Sequence, residues 1–299
     1  MPALCVPQIK VFRTIWGAET QFSSDINILF NELHRLGFNG IEASLNDIHR
    51  ISKNNDELFM EILTKNKLEL IVSCYTNWVD FEPGSWDDLS VDEHINNLDK
   101  QLEQVMKYNP IHINIHGGQD NWTIEQHEKF FQEALALQAK YPNVSSSHET
   151  HRGRSLFNPS ITLHLISRFP NLRLTADFSH WLVVCERLLD HPSDLERMRK
   201  IISRVDHIHA RVGTVQHAQV TDSLIDAPKE TQLMQNWWQM IWTEQIKQGK
   251  TITTLTPEYG PIPYAISNDV DVWKLTNREM ERQRKNYQEW IYQNQDLKN

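Results

Sequence analysis

The sequence predicts a single (β/α)8 barrel, the TIM-barrel form of the α/β class, spanning residues 1–299. Three observations carry this. Eight short apolar, β-branched runs recur along the chain with their starts 29–46 residues apart, and a strand with its crossover helix takes about 30 residues or more. Stretches of helical period lie between those runs. Among 10 glycines there is no G-x-G-x-x-G turn, which the main rival, a doubly wound sheet, usually carries after its first strand.

The expected strands, in order, are Gln8–Ile15 (QIKVFRTI), Asn39–Ser44 (NGIEAS), Leu68–Tyr75 (LELIVSCY) and Ile111–His116 (IHINIH). Four more follow: Asn143–Glu149 (NVSSSHE), Leu172–Phe178 (LRLTADF), Val205–Arg211 (VDHIHAR) and Thr251–Glu258 (TITTLTPE). Between the first two, Asp25–Gly37 sets Ile26, Leu29, Phe30 and Leu33 on one helical face and ends at a glycine, a common stop. Asp92–Pro110 repeats Ile95, Leu98, Leu102, Val105 and Met106 before its proline. Ser160–Pro170 and Ser193–Val205 each open at a serine able to cap, and a charged helix from Asn277 to Gln293 closes the series.

Composition narrows the class of function. With 39% hydrophobic and 23% charged residues the chain is globular. No apolar run approaches the roughly 20 residues of a membrane span. The start, MPALCVPQIKVFRTIW, has no basic leader and apolar core, so no secretory signal is expected. Three scattered cysteines, Cys5, Cys74 and Cys185, form no pairing framework, which suits a cytoplasmic setting. A net charge of −9 counts against a nucleic-acid partner.

Six expected strands end in ionisable side chains: Glu42, His116, Glu149, Asp177, His209 and Glu258. Strand ends of such a barrel converge around its axis. Glu149, Asp177, His209 and Glu258, from four successive strands, would give three carboxylates and one imidazole. That set suits one divalent cation, Mn2+, Mg2+ or Co2+ more than a structural zinc, which prefers Cys and His. Converging carboxylates also repel one another, so a cation answers an electrostatic need.

The motifs GFNGIEAS (Gly37–Ser44), IHGG (Ile115–Gly118), HETHRGR (His148–Arg154), DFSHW (Asp177–Trp181), HIHARVG (His207–Gly213) and PEYGPIPY (Pro257–Tyr264) occur in that order. Over nearly its whole length the chain thus resembles the xylose isomerase-like TIM barrels, the sugar phosphate isomerase/epimerase group that also includes the endonuclease IV-like proteins. The resemblance implies one cation, Mn2+ favoured and Co2+, Mg2+ or Zn2+ possible, held by Glu149, Asp177, His209 and Glu258. It implies that Glu149 and Glu258 also act as acid and base on opposite faces of a sugar, while His180 and Arg211 grip substrate oxygens. A homodimer or homotetramer is implied as well. The sequence departs from the group in two places. Arg211 and Val212 stand where an acidic residue is common, and Arg152 and Arg154 flank the first glutamate.

This chemistry has a physical basis. A carbon beside a carbonyl is a weak acid, so its deprotonation calls for a Lewis acid to stabilise the enediolate oxygen and a carboxylate to take the proton. Planar guanidinium forks at Arg152 and Arg211 suit a carboxylate, a phosphate or vicinal oxygens. His116 and Glu42 are candidate substrate contacts, and Trp16 and Trp181 candidate walls for a sugar ring. Tyr75, Trp78 and Tyr259 read as packing. His112 reads as core, with His207 a candidate to support the ligand set. Trp237, Trp238 and Trp242 suit the core or a subunit interface. The polar stretch 212–236 reads as a long loop that covers the site or reaches a neighbouring subunit. The leading function is therefore a metal-dependent isomerase or epimerase of a small carbohydrate. A lyase or dehydratase on an oxidised sugar comes second, ahead of a phosphodiesterase or a silent binding barrel.

Overall fold

A computed structural model gives the structure of the protein and describes residues 6–18, 21, 25–77 and 88–294. Its eight strands are β1 (Gln8–Thr14), β2 (Gly40–Ser44), β3 (Glu69–Tyr75), β4 (His112–His116), β5 (Ser145–Glu149), β6 (Leu174–Ala176), β7 (Val205–His209) and β8 (Ile252–Thr256). They form one closed barrel in chain order. The first and last strands pair in parallel, Val11 opposite Leu255, which completes the ring. Each strand lies within its expected run. β6 is only three residues long and its register with β7 shifts between Leu174 and Thr175. Asp177 therefore sits just past the end of β6, and Glu258 two residues past β8.

The helices follow their local chemistry. α1 (Ile26–Leu36) is capped by Asp25 and stopped by Gly37, and it buries the four residues its period selects. α2 (Leu45–Ser52) and α3 (Asp56–Lys65) lie between β2 and β3. α4 (Val91–Val105) starts from a capping box of Ser90 and Glu93, and α5 (Ile124–Gln138) from one of Thr123 and Gln126. α6 (Pro159–Arg168) and α8 (Pro192–Ile202) are capped by Asn158 and His191 rather than by the expected serines. A proline at the first helical position moves each start upstream, because its fixed φ is already helical and its missing N–H is not needed there.

α7 (Ser179–Cys185) follows Asp177 directly. α9 (Ser223–Asp226) and α10 (Pro228–Lys247) correct the expected loop at 212–236, whose second half is helical. In α10, Trp237, Trp238 and Trp242 are buried, Trp242 edge-on to Tyr287 of α11 (Val272–Gln293) at 4.8 Å. Of the two roles expected of them, core or subunit interface, they take the core. Among the described residues no helix is long and apolar enough to cross a membrane.

Polar side chains fill much of the barrel interior, where branched aliphatic residues usually dominate. His112 bonds the hydroxyls of Ser145 and Ser147, each at 2.7 Å, and Ser147 meets Thr175 at 2.6 Å. His207 bonds Thr254 at 2.8 Å and Glu42 at 3.2 Å. Each of these buried groups has its partner, and together they form a fixed polar base beneath the site.

Candidate metal centre and cavity

Ligand atoms of Glu149, Asp177, His209 and Glu258 all lie within 4.8 Å of one another. The four residues expected to share a cation thus converge at the C-terminal ends of β5 to β8. Glu149 Oε2 accepts from Asn114 Nδ2 at 2.8 Å and pairs with His116 Nε2 at 2.9 Å. Glu149 Oε1 is buried without a hydrogen-bond partner. His209 Nε2 stands 3.0 and 3.1 Å from the two oxygens of Glu42. Its Nδ1 lies 2.8 Å from Glu258 Oε2, yet neither atom has hydrogen-bond geometry.

Glu149 Oε1, His209 Nδ1 and Glu258 Oε2 thus make no hydrogen bond inside the protein, and two oxygens with one imidazole nitrogen fit a divalent cation. Glu42, expected to touch substrate, faces the cavity and also anchors the imidazole. A carboxylate on the outer nitrogen fixes the ring so that the other nitrogen faces the site.

Arg211 enters the same cluster. Its Nε donates to Asp177 Oδ2 at 3.1 Å and its Nη2 bonds the same oxygen. Nη2 also lies 3.1 Å from Glu258 Oε2 and 3.0 Å from His180 Nε2. The other Asp177 oxygen accepts from the backbone and hydroxyl of Ser179. Burial raises the Asp177 carboxyl, and Glu258 and Glu149 add to this against the pull of Arg211. Burial also raises Glu149 and Glu258 but is outweighed, by His116 and His209 for the first and by Arg211 and His209 for the second, so both are lowered. Despite its own burial, His209 is raised well above the usual imidazole range by Glu42, Glu258 and Glu149.

Over this cluster opens a cavity of about 600 Å³, into which Glu258, Glu42, His116, Arg152, Trp16 and Tyr264 face. Glu149, Asp177 and His209 lie under its floor, each 2% exposed or less. His116 is stacked on Tyr75 with centroids 4.2 Å apart. Trp16 meets Tyr264 edge-on at 5.1 Å, and a Cβ on Gly260 would fall 2.0 Å from the Trp16 ring. Only glycine allows that approach.

Other expected contacts fall elsewhere. Trp181 is fully buried, donates Nε1–H to Leu156 O at 2.9 Å and packs on Phe178. It is core rather than a substrate wall. His180 lies behind the cavity wall against His151, with ring centroids 3.8 Å apart, and burial, His151 and Arg211 hold it well below the usual imidazole range. Burial pushes the Cys74 thiol up to about 12, which suits an inert side chain. Trp78 and Cys5 lie outside the described residues. Sequence reasoning missed Asn114, although it alternates with His112 and His116 in IHINIH. It also missed Tyr264, which no periodicity marks in its loop.

No protein-family model matches the chain, and no curated protein matches it. Solved structures do. A D-allulose 3-epimerase from Methylomonas sp., in complex with D-allulose, is 14% identical with a TM-score of 0.55, over 94% of this chain and 99% of that one. The IolI protein with a binding zinc atom is 12% identical with a TM-score of 0.58, over 96% and 98%. The probable 3-DHS dehydratase AsbF from Bacillus anthracis is 13% identical with a TM-score of 0.57, over 92% and 98%. At these identities the likeness is one of fold. The chain shares with them a closed eight-stranded (β/α)8 barrel.

Proposed function

We propose that the protein is a divalent-metal-dependent isomerase or epimerase of a sugar, keto-sugar or sugar acid. The observation that supports this is the convergence of Glu149, Asp177, His209 and Glu258, with donor atoms left over at three of them. These four would hold the ion, with Mn2+ favoured; the zinc atom in IolI supports a divalent site on this fold. When bound, the ion supplies Lewis-acid polarisation of a carbonyl and its neighbouring hydroxyl. Glu149 and Glu258 are the proton-transfer pair. One takes a proton from the carbon beside the carbonyl and the other returns it. Asn114 and His116 hold Glu149 Oε2 and so fix the orientation of its carboxylate. Trp16 and Tyr264 give a sugar ring its apolar wall, and D-allulose bound in the epimerase supports a carbohydrate ligand.

Elimination is the second reading. The same bases could remove a proton beside a ketone and expel a β-oxygen substituent, and a probable dehydratase shares the fold. The deciding experiment has two parts. Protein purified without chelator is incubated with Mn2+, desalted and assayed for metal, beside Asp177→Asn. It is then tested on keto-sugars in deuterated water. One ion per chain, lost in the variant, together with deuterium at the α-carbon, is expected. Deuterium entry with loss of an oxygen substituent would select elimination. No retained metal and no exchange would sink both.

A further inference from the structure

The cavity is electrostatically two-sided. Its floor holds Glu42 and Glu258 over buried Glu149 and Asp177, and these are met from within by His209 and Arg211. Its wall carries arginines. Arg50 is paired with Asp47, and Arg154 is buried and donates Nη1–H to Asn77 O at 2.8 Å. Arg152, on the loop between β5 and α6, differs from both. Its guanidinium faces the cavity 5.1 Å from the centre of the Tyr264 ring, with no carboxylate or hydrogen-bond acceptor against it among the described residues. A half-buried guanidinium loses part of its hydration without an ion pair in return, an arrangement suited to an anion brought by a ligand.

We infer that the substrate is an anionic sugar, its carboxylate or phosphate seated on Arg152 and its neutral carbonyl–hydroxyl end on the acidic floor. This rests on the sugar chemistry proposed above and names its substrate class. A cavity of about 600 Å³ has room for a sugar ring with such a group at one end. A second carboxylate could not take the floor position without facing Glu258 and Glu42, so the charge asymmetry also fixes which end enters first.

The test is calorimetric titration of Mn2+-loaded protein with D-glucuronate, D-glucose 6-phosphate and D-glucose, at low and moderate salt. Wild type is compared with Arg152→Gln and Arg152→Lys. At least one anionic sugar should bind about tenfold or more tighter than D-glucose, with the margin shrinking in salt. Arg152→Gln should lose about tenfold of that ratio with its metal content unchanged, and Arg152→Lys should keep part of it. Tighter D-glucuronate would identify a carboxylate substrate, and tighter D-glucose 6-phosphate a phosphate. Equal binding of D-glucose, an unaltered ratio in Arg152→Gln, or no binding of either anion overturns the inference. Metal retention with deuterium exchange on a neutral keto-sugar would leave the isomerase reading standing without it. Anion preference at Arg152 with no metal and no exchange would do the reverse.

Discussion

Two residues beyond His209, Arg211 leaves the chain on the same face and sets its guanidinium against Asp177, Glu258 and His180. Taking that cation away strands two buried carboxylates. Arg211→Gln should therefore cost the metal-free protein about 3–5 kcal/mol, the usual penalty for breaking a buried ion pair from one side. Saturating Mn2+ should return much of it, because an ion on the same carboxylates binds the folded state alone. Urea unfolding with chelator and with Mn2+ reads both effects, and a variant as stable as wild type in chelator would refute the assignment. Period-two alternation already places Arg211 on the face of His207 and His209, and strand-end register already gathers the four ligands. Alternation does not say which neighbour a long side chain will meet. The sequence thus points Arg211 and Glu42 at a substrate; in the structure both line the cavity, and Arg211 also pairs with Asp177 and Glu42 with His209.

At the scale of elements, the loops above the barrel are fastened to one another, and glycine makes this possible. Gly118 follows β4 with φ +73°, and a Cβ there would lie 1.9 Å from Ser155 Oγ. Its N–H donates to Thr76 Oγ1 at 3.0 Å, while Ser155 N–H donates to Gly117 O at 3.0 Å. The loops after β3, β4 and β5 are thereby locked together, and the last of them carries Arg152. Gly118→Ala should cost about 1–2 kcal/mol for the left-handed backbone alone, with the clash added, and should weaken ligand binding as the β5 loop shifts. A melting curve and sugar titration indistinguishable from wild type would show that the loops are independent. The IHGG motif announces such a close approach from sequence. Its partner, 37 residues further along, is announced by nothing local. Helix starts were less legible: the helix expected from Asp92 starts from a capping box of Ser90 and Glu93, and Pro159 and Pro192 move their helices upstream of the serines expected to cap them.

The whole molecule depends on closing a ring, and the eight strands were readable because their spacing is regular and each run is β-branched. The polar interior was not, since it arises only when His112, Ser147, Thr175 and His207 from separate strands meet at the axis. Closure also needs a seam at the end opposite the site. There Asp206, at the start of β7, is held by Arg173 at 2.6 Å and by Lys250, tying together the approaches to β6, β7 and β8. Burial alone would raise the Asp206 carboxyl, but the bond to Arg173 and the charge of Lys250 outweigh it, so it lies below its ordinary value of 3.8. A carboxyl lowered on folding stabilises fully above its unfolded value. That contribution fades as the pH falls toward the folded value, where the proton is taken up and the pairs are lost. Asp206→Asn should therefore lower stability by about 2 kcal/mol at neutral pH, about 4 °C in Tm for a chain of this size. The deficit should close progressively below about pH 4 as wild type protonates the same group. Melting curves from pH 7 down to pH 3 test this, and a constant deficit across that range would show that the seam holds by packing rather than by charge.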